Sequence, residues 1–158
     1  MIVWSSLAGG LIGTVVLTSG VRGAQELGLT RMDIPLLLGS VFCMERSRAS
    51  LVGFLLHFAN GLAFSLGYAA IFAAVGHSTW WFGALLGVPH AAFMGTLATI
   101  VLPAVHPRMG TAWTDAEETP LFEPPGFLLH NYGRPTAIVT LLLHIAYGAI
   151  VGTFAGGF

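Results

Sequence analysis

Charged residues are scarce in this chain. Only 8% of its 158 residues are Asp, Glu, Lys or Arg, whereas 55% are hydrophobic. A soluble domain carries about a quarter charged residues, so the composition excludes a chain that covers itself with a solvated surface. Lysine is absent, the cationic residues are six arginines, and the formal net charge is −1. Because no basic stripe is available to neutralise phosphates, a nucleic-acid-binding protein is excluded as well.

Cysteine is almost absent too. The single Cys43 excludes an internal disulfide and leaves no redox motif or covalent haem-attachment motif. A basic stretch ahead of the first apolar run is also missing, since the first arginine, Arg22, follows that run. We therefore expect the segment from Met1 to about Val21 to be a first membrane span that is retained, and not a cleaved signal peptide.

Long apolar runs fill most of the chain. Four of them reach the roughly 20 residues that a membrane span needs, and helices are expected because lipid offers the backbone no hydrogen-bond partner. A shorter run, DIPLLLGSVF, predicts an interfacial helix that Asp33 caps and in which Pro35 occupies the first turn. The prediction is an all-α fold in one domain, residues 1–158: a four-helix transmembrane bundle with spans near 2–24, 49–75, 81–105 and 135–157, a short helix at 33–42 and a long polar loop at 106–135.

The arginines predict an orientation. All six lie in the segments 22–48 and 106–135, which four crossings place on one side of the membrane. The positive-inside rule makes that side cytoplasmic. We therefore expect a multi-pass protein of the cytoplasmic (inner) membrane, with both termini on the outer face and 106–135 as a cytoplasmic loop.

Two stretches of the sequence match each other. LLHFANGLAFSLGYA, which contains His57, aligns with LLHIAYGAIVGTFAG, which contains His144. Upstream, GLIGTVVL resembles AFMGTLATI, and prolines fall in both intervening segments. The pattern predicts two tandem two-helix repeats, about 1–79 and 80–158, that run the same way through the bilayer and are related by an axis along its normal. It also places His57 and His144 at equivalent depths.

Histidine within a membrane span is a functional candidate, and three hypotheses remain open. Each ring can simply form an interhelical hydrogen bond, with Asn60, Tyr147 or Thr140 as partner. His57 and His144 can instead be the axial ligands of a b-type haem between diagonal helices. Finally, His57, His90 and His144 can form a metal site or a proton path, because imidazole binds copper, zinc and iron alike.

The 106–135 loop carries acids, histidines and aromatic rings but no known zinc spacing. We predict no catalytic residue there or elsewhere. Long loops are often functional, and aromatic side chains often anchor protein partners. The predicted partner-binding residues are Trp113, Phe122, Phe127 and Tyr132.

At MDIPLLLGSVF, GFLLHFANG, VHPRMG, PPGFLLH and LLHIAYGAIVG the chain resembles a family of small, uncharacterised four-helix membrane proteins of bacteria and archaea. The resemblance covers most of the chain and implies a compact membrane protein, without implying an activity or a catalytic residue. We expect a non-catalytic accessory or assembly subunit, embedded in the lipid bilayer, that docks to other membrane-protein subunits or to its own copies through its helices and the 106–135 loop. The alternatives are a haem-binding electron-transfer subunit and, third, a small transporter.

Overall fold

The computed structural model describes residues 2–110 and 122–157. Within them the chain is all-α, with four long helices, each long and apolar enough to cross a membrane. This confirms the predicted helical class and the number of candidate spans. The helices are α1 (Ile2–Glu26), α2 (Ile34–Gly39), α3 (Arg46–Val75), α4 (Trp80–Val105) and α5 (Thr136–Gly156), and a 3₁₀ helix (Phe127–Tyr132) precedes α5.

The helix ends follow local sequence signals. Asp33 accepts a hydrogen bond from the Leu36 N–H at 3.0 Å, as expected for the cap of α2. Glu45 caps α3 by accepting from the N–H groups of Ser47 and Arg48, and bonds from the Ser47 hydroxyl and these N–H groups lower the pKa of its carboxyl. Gly76 ends α3 with a φ of 69°, a left-handed conformation that glycine adopts without strain.

Among the four long helices that the structure describes, close packing joins three pairs. α1 packs against both α3 and α5, and α4 packs against α5. Glycines permit the approach: Gly83 of α4 and Gly148 of α5 meet backbone to backbone, and Gly13 of α1 lies against the ring of Tyr147. Small residues at such contacts let helix backbones approach in a bilayer. α5 is therefore held between α1 and α4.

Aromatic side chains fill the space between α3 and α4. The rings of Phe72 and Phe82 lie 5.8 Å apart, centroid to centroid. Nearer the middle of the helices, Phe64 and Tyr68 reach His90 at 4.1 and 5.8 Å. Contact between α3 and α4 is thus made by large side chains rather than by close approach of the two backbones.

The segment between α1 and α3 meets the segment between α4 and α5 at one end of the bundle. The Arg31 guanidinium lies 3.1 Å from the Glu123 carboxylate, and the Arg108 guanidinium donates to the carbonyl oxygens of Ser40 and Cys43. All six arginines lie in the segments that these contacts bring together. We call this the arginine-rich end.

His106 fastens α4 to α2 at the arginine-rich end. Its Nδ1 accepts from the Arg108 N–H at 3.1 Å, so in the neutral ring the proton is on Nε2. Nε2 lies 3.1 Å from the Leu37 carbonyl oxygen, to which it donates. Burial lowers the pKa of His106, the bond to Leu37 partly offsets this effect, and the charge of Arg108 adds to the lowering. The bond that Nδ1 accepts from the Arg108 N–H therefore requires the neutral imidazole, whereas the bond to Leu37 forms in either protonation state.

Each predicted half contains a long helix, a short helix and a second long helix, in that order. The packing of the halves differs, since α1 packs closely on α5 whereas aromatic rings fill the space between α3 and α4. The tandem repeat and the cytoplasmic position of the 106–135 loop remain predictions.

Candidate functional site: a buried histidine cavity and an open apolar groove

Three helices bring the three predicted histidines to one cavity. His57 comes from α3, His90 from α4 and His144 from α5, and the cavity has a volume of about 20 Å³. That is room for about one water molecule or one ion, since a water needs roughly 10–15 Å³ by the same measure. The remaining lining residues are Thr14, Leu17, Asn60, Gly61, Phe64, Met94 and Tyr147.

The proton on the His144 ring can be assigned from its partner. Nδ1 lies 2.8 Å from the backbone carbonyl oxygen of Thr140, one helical turn earlier. A carbonyl oxygen only accepts hydrogen bonds, so Nδ1 carries the proton. In the neutral ring the lone pair is therefore on Nε2, which has no hydrogen-bond partner among the residues that the structure describes.

The same assignment holds for His57, through a hydroxyl group. The Thr18 hydroxyl donates its only proton to the Thr14 carbonyl oxygen at 2.7 Å. Its oxygen lies 3.0 Å from Nδ1 of His57, so it must accept from that nitrogen. The neutral His57 ring thus also presents an unprotonated Nε2, again without a hydrogen-bond partner in the described part of the chain. Two of the three rings are held in the same tautomer.

His90 completes the cluster. Its Nδ1 lies 3.4 Å from the Tyr68 hydroxyl, and its ring stands nearly perpendicular to that of His144 with centroids 4.8 Å apart. Tyr147 stands beside the two rings and donates its hydroxyl to the Gly61 carbonyl oxygen at 2.5 Å. Helical spacing places Thr140, His144, Tyr147 and Val151 on one face of α5, and all four are buried.

The cavity does not fit a haem. Organic ligands occupy pockets of roughly 300–1,000 Å³, whereas the space that His57 and His144 share is about 20 Å³. The aromatic rings of Phe64 and Tyr147 line this small space. The geometry therefore gives the predicted axial-ligand pair no support.

A metal site made only of the predicted histidines is not supported either. Among the described residues, no group of three or more His, Cys, Asp or Glu side chains is arranged to hold a metal ion. Sequence reasoning overlooked Met94, which lies one turn after His90 and lines the same cavity. The spacing of four residues on one helix could have revealed it.

A second feature lies on the outside of the bundle. An apolar groove of about 590 Å³ runs between α4 and α5 and ends at the 3₁₀ helix. On α4 its residues extend from Val88 to Ile100, roughly 18 Å at 1.5 Å per residue. A methyl group at Gly95 would meet no atom within 4 Å. The other lining residues are Ala91, Ala92, Thr96, Thr99, Phe127, Leu128, Leu129, Ala137, Ile138, Thr140 and Leu141.

Thr140 belongs to this groove and is unusual among its residues. It is only 8% exposed, and its hydroxyl has no hydrogen-bond partner among the described residues. A buried hydroxyl without a partner costs about 1–3 kcal/mol. By contrast, the hydroxyls of Thr96 and Thr99 each donate to a carbonyl oxygen of their own helix.

The predicted partner-binding aromatic residues have different environments. Phe127 is 80% exposed and lies at the end of the groove. Tyr132 is 7% exposed, and burial together with the nearby Glu123 carboxylate raises its pKa to about 12. The Phe122 ring lies 5.4 Å from that of His106, and Trp113 falls outside the described residues. Of the three described rings, Phe127 is the one most accessible to a partner.

No family model, curated protein or solved structure matches this chain. The resemblance to small four-helix membrane proteins therefore remains a prediction. The function has to be argued from the cavity and the groove themselves.

Proposed function

We propose that this chain is a non-catalytic accessory or assembly subunit of a membrane, and that the groove between α4 and α5 binds a transmembrane helix of a partner protein. The observation that carries the proposal is the open surface around Gly95. Its small side chains leave room for another helix backbone to approach closely, which is how helices associate in lipid.

Three small residues on one face of α4 have different surroundings. A methyl group at Gly87 would collide with the backbone at His144, and Ala91 is buried. Gly95 continues the same stripe at the same spacing of four residues, yet a methyl group added there would meet no atom of the described residues within 4 Å. We infer that α5 occupies the first part of this stripe and that a partner helix occupies the second.

The exposed apolar residues at one end of the groove favour a protein helix as the occupant. Phe127 and Leu128 are 80% and 61% exposed at one end of the groove, where they extend its apolar surface. A groove of roughly 18 Å accommodates more than three turns of an α-helix.

The gathering of the arginines at one end supports the proposed orientation, with that end in the cytoplasm and the termini outside. The long–short–long order of helices in each half likewise supports the proposed duplication.

The experiment compares two glycines that have equally open surroundings. A methyl group added at Gly95 on α4 or at Gly67 on α3 would meet no atom within 4 Å, but only Gly95 lines the groove. A photoreactive amino acid at position 96 is activated in native membranes, and the adducts are identified by mass spectrometry. We expect one discrete protein adduct, which Gly95→Leu abolishes and Gly67→Leu leaves unchanged.

Three results would contradict the proposal. Lipid adducts alone would show that the groove is a lipid site, and an adduct with the mass of two copies would show a homo-oligomer in place of an accessory subunit. An adduct that persists in Gly95→Leu would show that contact occurs elsewhere. Circular dichroism and detergent gel filtration confirm that each variant is folded.

A further inference from the structure

We propose that the histidine cavity binds a single Cu(I) ion, with His90, His144 and Met94 as ligands. The proposal is independent of the docking role, since it concerns the inside of the bundle. It rests on the tautomers of the rings, the position of Met94, the size of the cavity and the lack of acidic residues nearby.

The tautomers supply the electron pairs. His57 and His144 each donate their Nδ1 proton to a fixed acceptor, the Thr18 hydroxyl and the Thr140 carbonyl respectively. Histidines that bind metals commonly donate their other ring proton in this way, which fixes the ring and increases the basicity of the ligating nitrogen. The Nε2 atom of His144 is then ready to bind the ion without losing a proton, and the neutral His57 ring adds no positive charge beside it.

Met94 determines which cation fits. It lies four residues after His90 and lines the same cavity, so both side chains lie on one face of α4. A thioether is a soft ligand that selects Cu(I), whereas imidazole alone binds several metals. Because no group of His, Cys, Asp or Glu in the described residues forms a ligand set by itself, the thioether is the donor that completes the site.

The charge of the surroundings favours a monovalent ion. The seven acidic residues are Glu26, Asp33, Glu45, Asp115, Glu117, Glu118 and Glu123, and none lies between 46 and 110 or between 124 and 158. An ion in this cavity would therefore have no carboxylate to balance it. The cost of moving an ion into an apolar medium is large and grows steeply with charge, so a divalent cation is disfavoured relative to Cu(I). The cavity volume of about 20 Å³ suits one such ion.

The test is a Cu(I) titration of the purified protein in detergent, under inert gas with a reductant, in competition with the chromophoric chelator bicinchoninate. Zn(II) is titrated in parallel with its own indicator. The variant is Met94→Leu, which conserves volume and should keep the fold. The matched control is Met44→Leu, because Met44 is 86% exposed and does not line the cavity.

We expect one Cu(I) per chain, bound more tightly than Zn(II). Met94→Leu should weaken Cu(I) binding by about tenfold or more, since even groups outside the first coordination shell contribute that much, and Met44→Leu should not. X-ray absorption at the copper edge should show nitrogen and sulfur ligands, with the sulfur signal lost in Met94→Leu. Failure to hold Cu(I) against the chelator, equal binding by both variants, or tighter Zn(II) binding would each overturn the proposal.

Discussion

Gly83→Ala tests how closely α4 and α5 are packed. A methyl group at position 83 would lie 2.9 Å from the carbonyl carbon of Gly148 and 3.0 Å from the Cα of Gly152, and closer still to the Gly148 carbonyl oxygen. Carbon atoms in contact normally lie about 3.5–4.0 Å apart. Because the obstacle is backbone and not a flexible side chain, the helices must separate by about 1 Å. Overpacking of this kind costs roughly 1–3 kcal/mol.

Gly95→Ala is the matched control on the same helix, because a methyl group there meets nothing within 4 Å. Alanine is favoured over glycine inside a helix by about 1 kcal/mol in water, so this variant should be as stable as the parent or slightly more so. The measurement is the free energy of unfolding in mixed micelles, followed by circular dichroism. Equal stability of the two variants would refute the close contact between α4 and α5.

Two further predictions concern the histidines. In ¹⁵N-histidine NMR spectra of the metal-free protein at neutral pH, His57 and His144 should both show a protonated Nδ1 and an unprotonated Nε2. Thr18→Val should release the tautomer of His57 only. Rings protonated on Nε2 would contradict the assignment. At the arginine-rich end, burial lowers the pKa of His106 in the folded protein. Its contribution to the free energy of unfolding is therefore complete above the unfolded-state pKa of about 6.5. That contribution is lost as the pH falls from there toward the lower pKa of the folded state. The unfolding midpoint of the parent should therefore decrease from pH 7.5 to 5.5 more steeply than that of His106→Gln, and parallel curves would show that His106 is not responsible.

The helices could be predicted because their signals are local. Predicted spans at 2–24 and 81–105 correspond to Ile2–Glu26 and Trp80–Val105. The Asp33 cap was also correctly predicted, since a side-chain oxygen three residues before a free N–H needs no tertiary information. The buried polar face of α5 has an equally local signal, because a histidine, a tyrosine and a threonine at helical spacing avoid lipid wherever the neighbouring helices are.

The pairing of the helices could not be predicted in the same way. Core-facing and lipid-facing residues are both apolar in a membrane protein, so periodicity does not show which faces meet. Gly87 and Gly95 look equivalent in the sequence, yet one contacts α5 and the other is open. The haem hypothesis assumed open space between His57 and His144, and the sequence offers no measure of how far Phe64 and Tyr147 fill that space.

Thr140 connects the two features on which the proposals rest. Its backbone carbonyl accepts the Nδ1 proton of His144 and so fixes the ring that faces the cavity. Its side chain lines the groove, and its buried hydroxyl has no hydrogen-bond partner among the described residues. Because the carbonyl belongs to the backbone and the hydroxyl to the side chain, removal of the hydroxyl leaves the His144 tautomer in place. The groove of the proposed docking role and the cavity of the proposed copper site are thus adjacent on α5, but they involve chemically separate groups of Thr140.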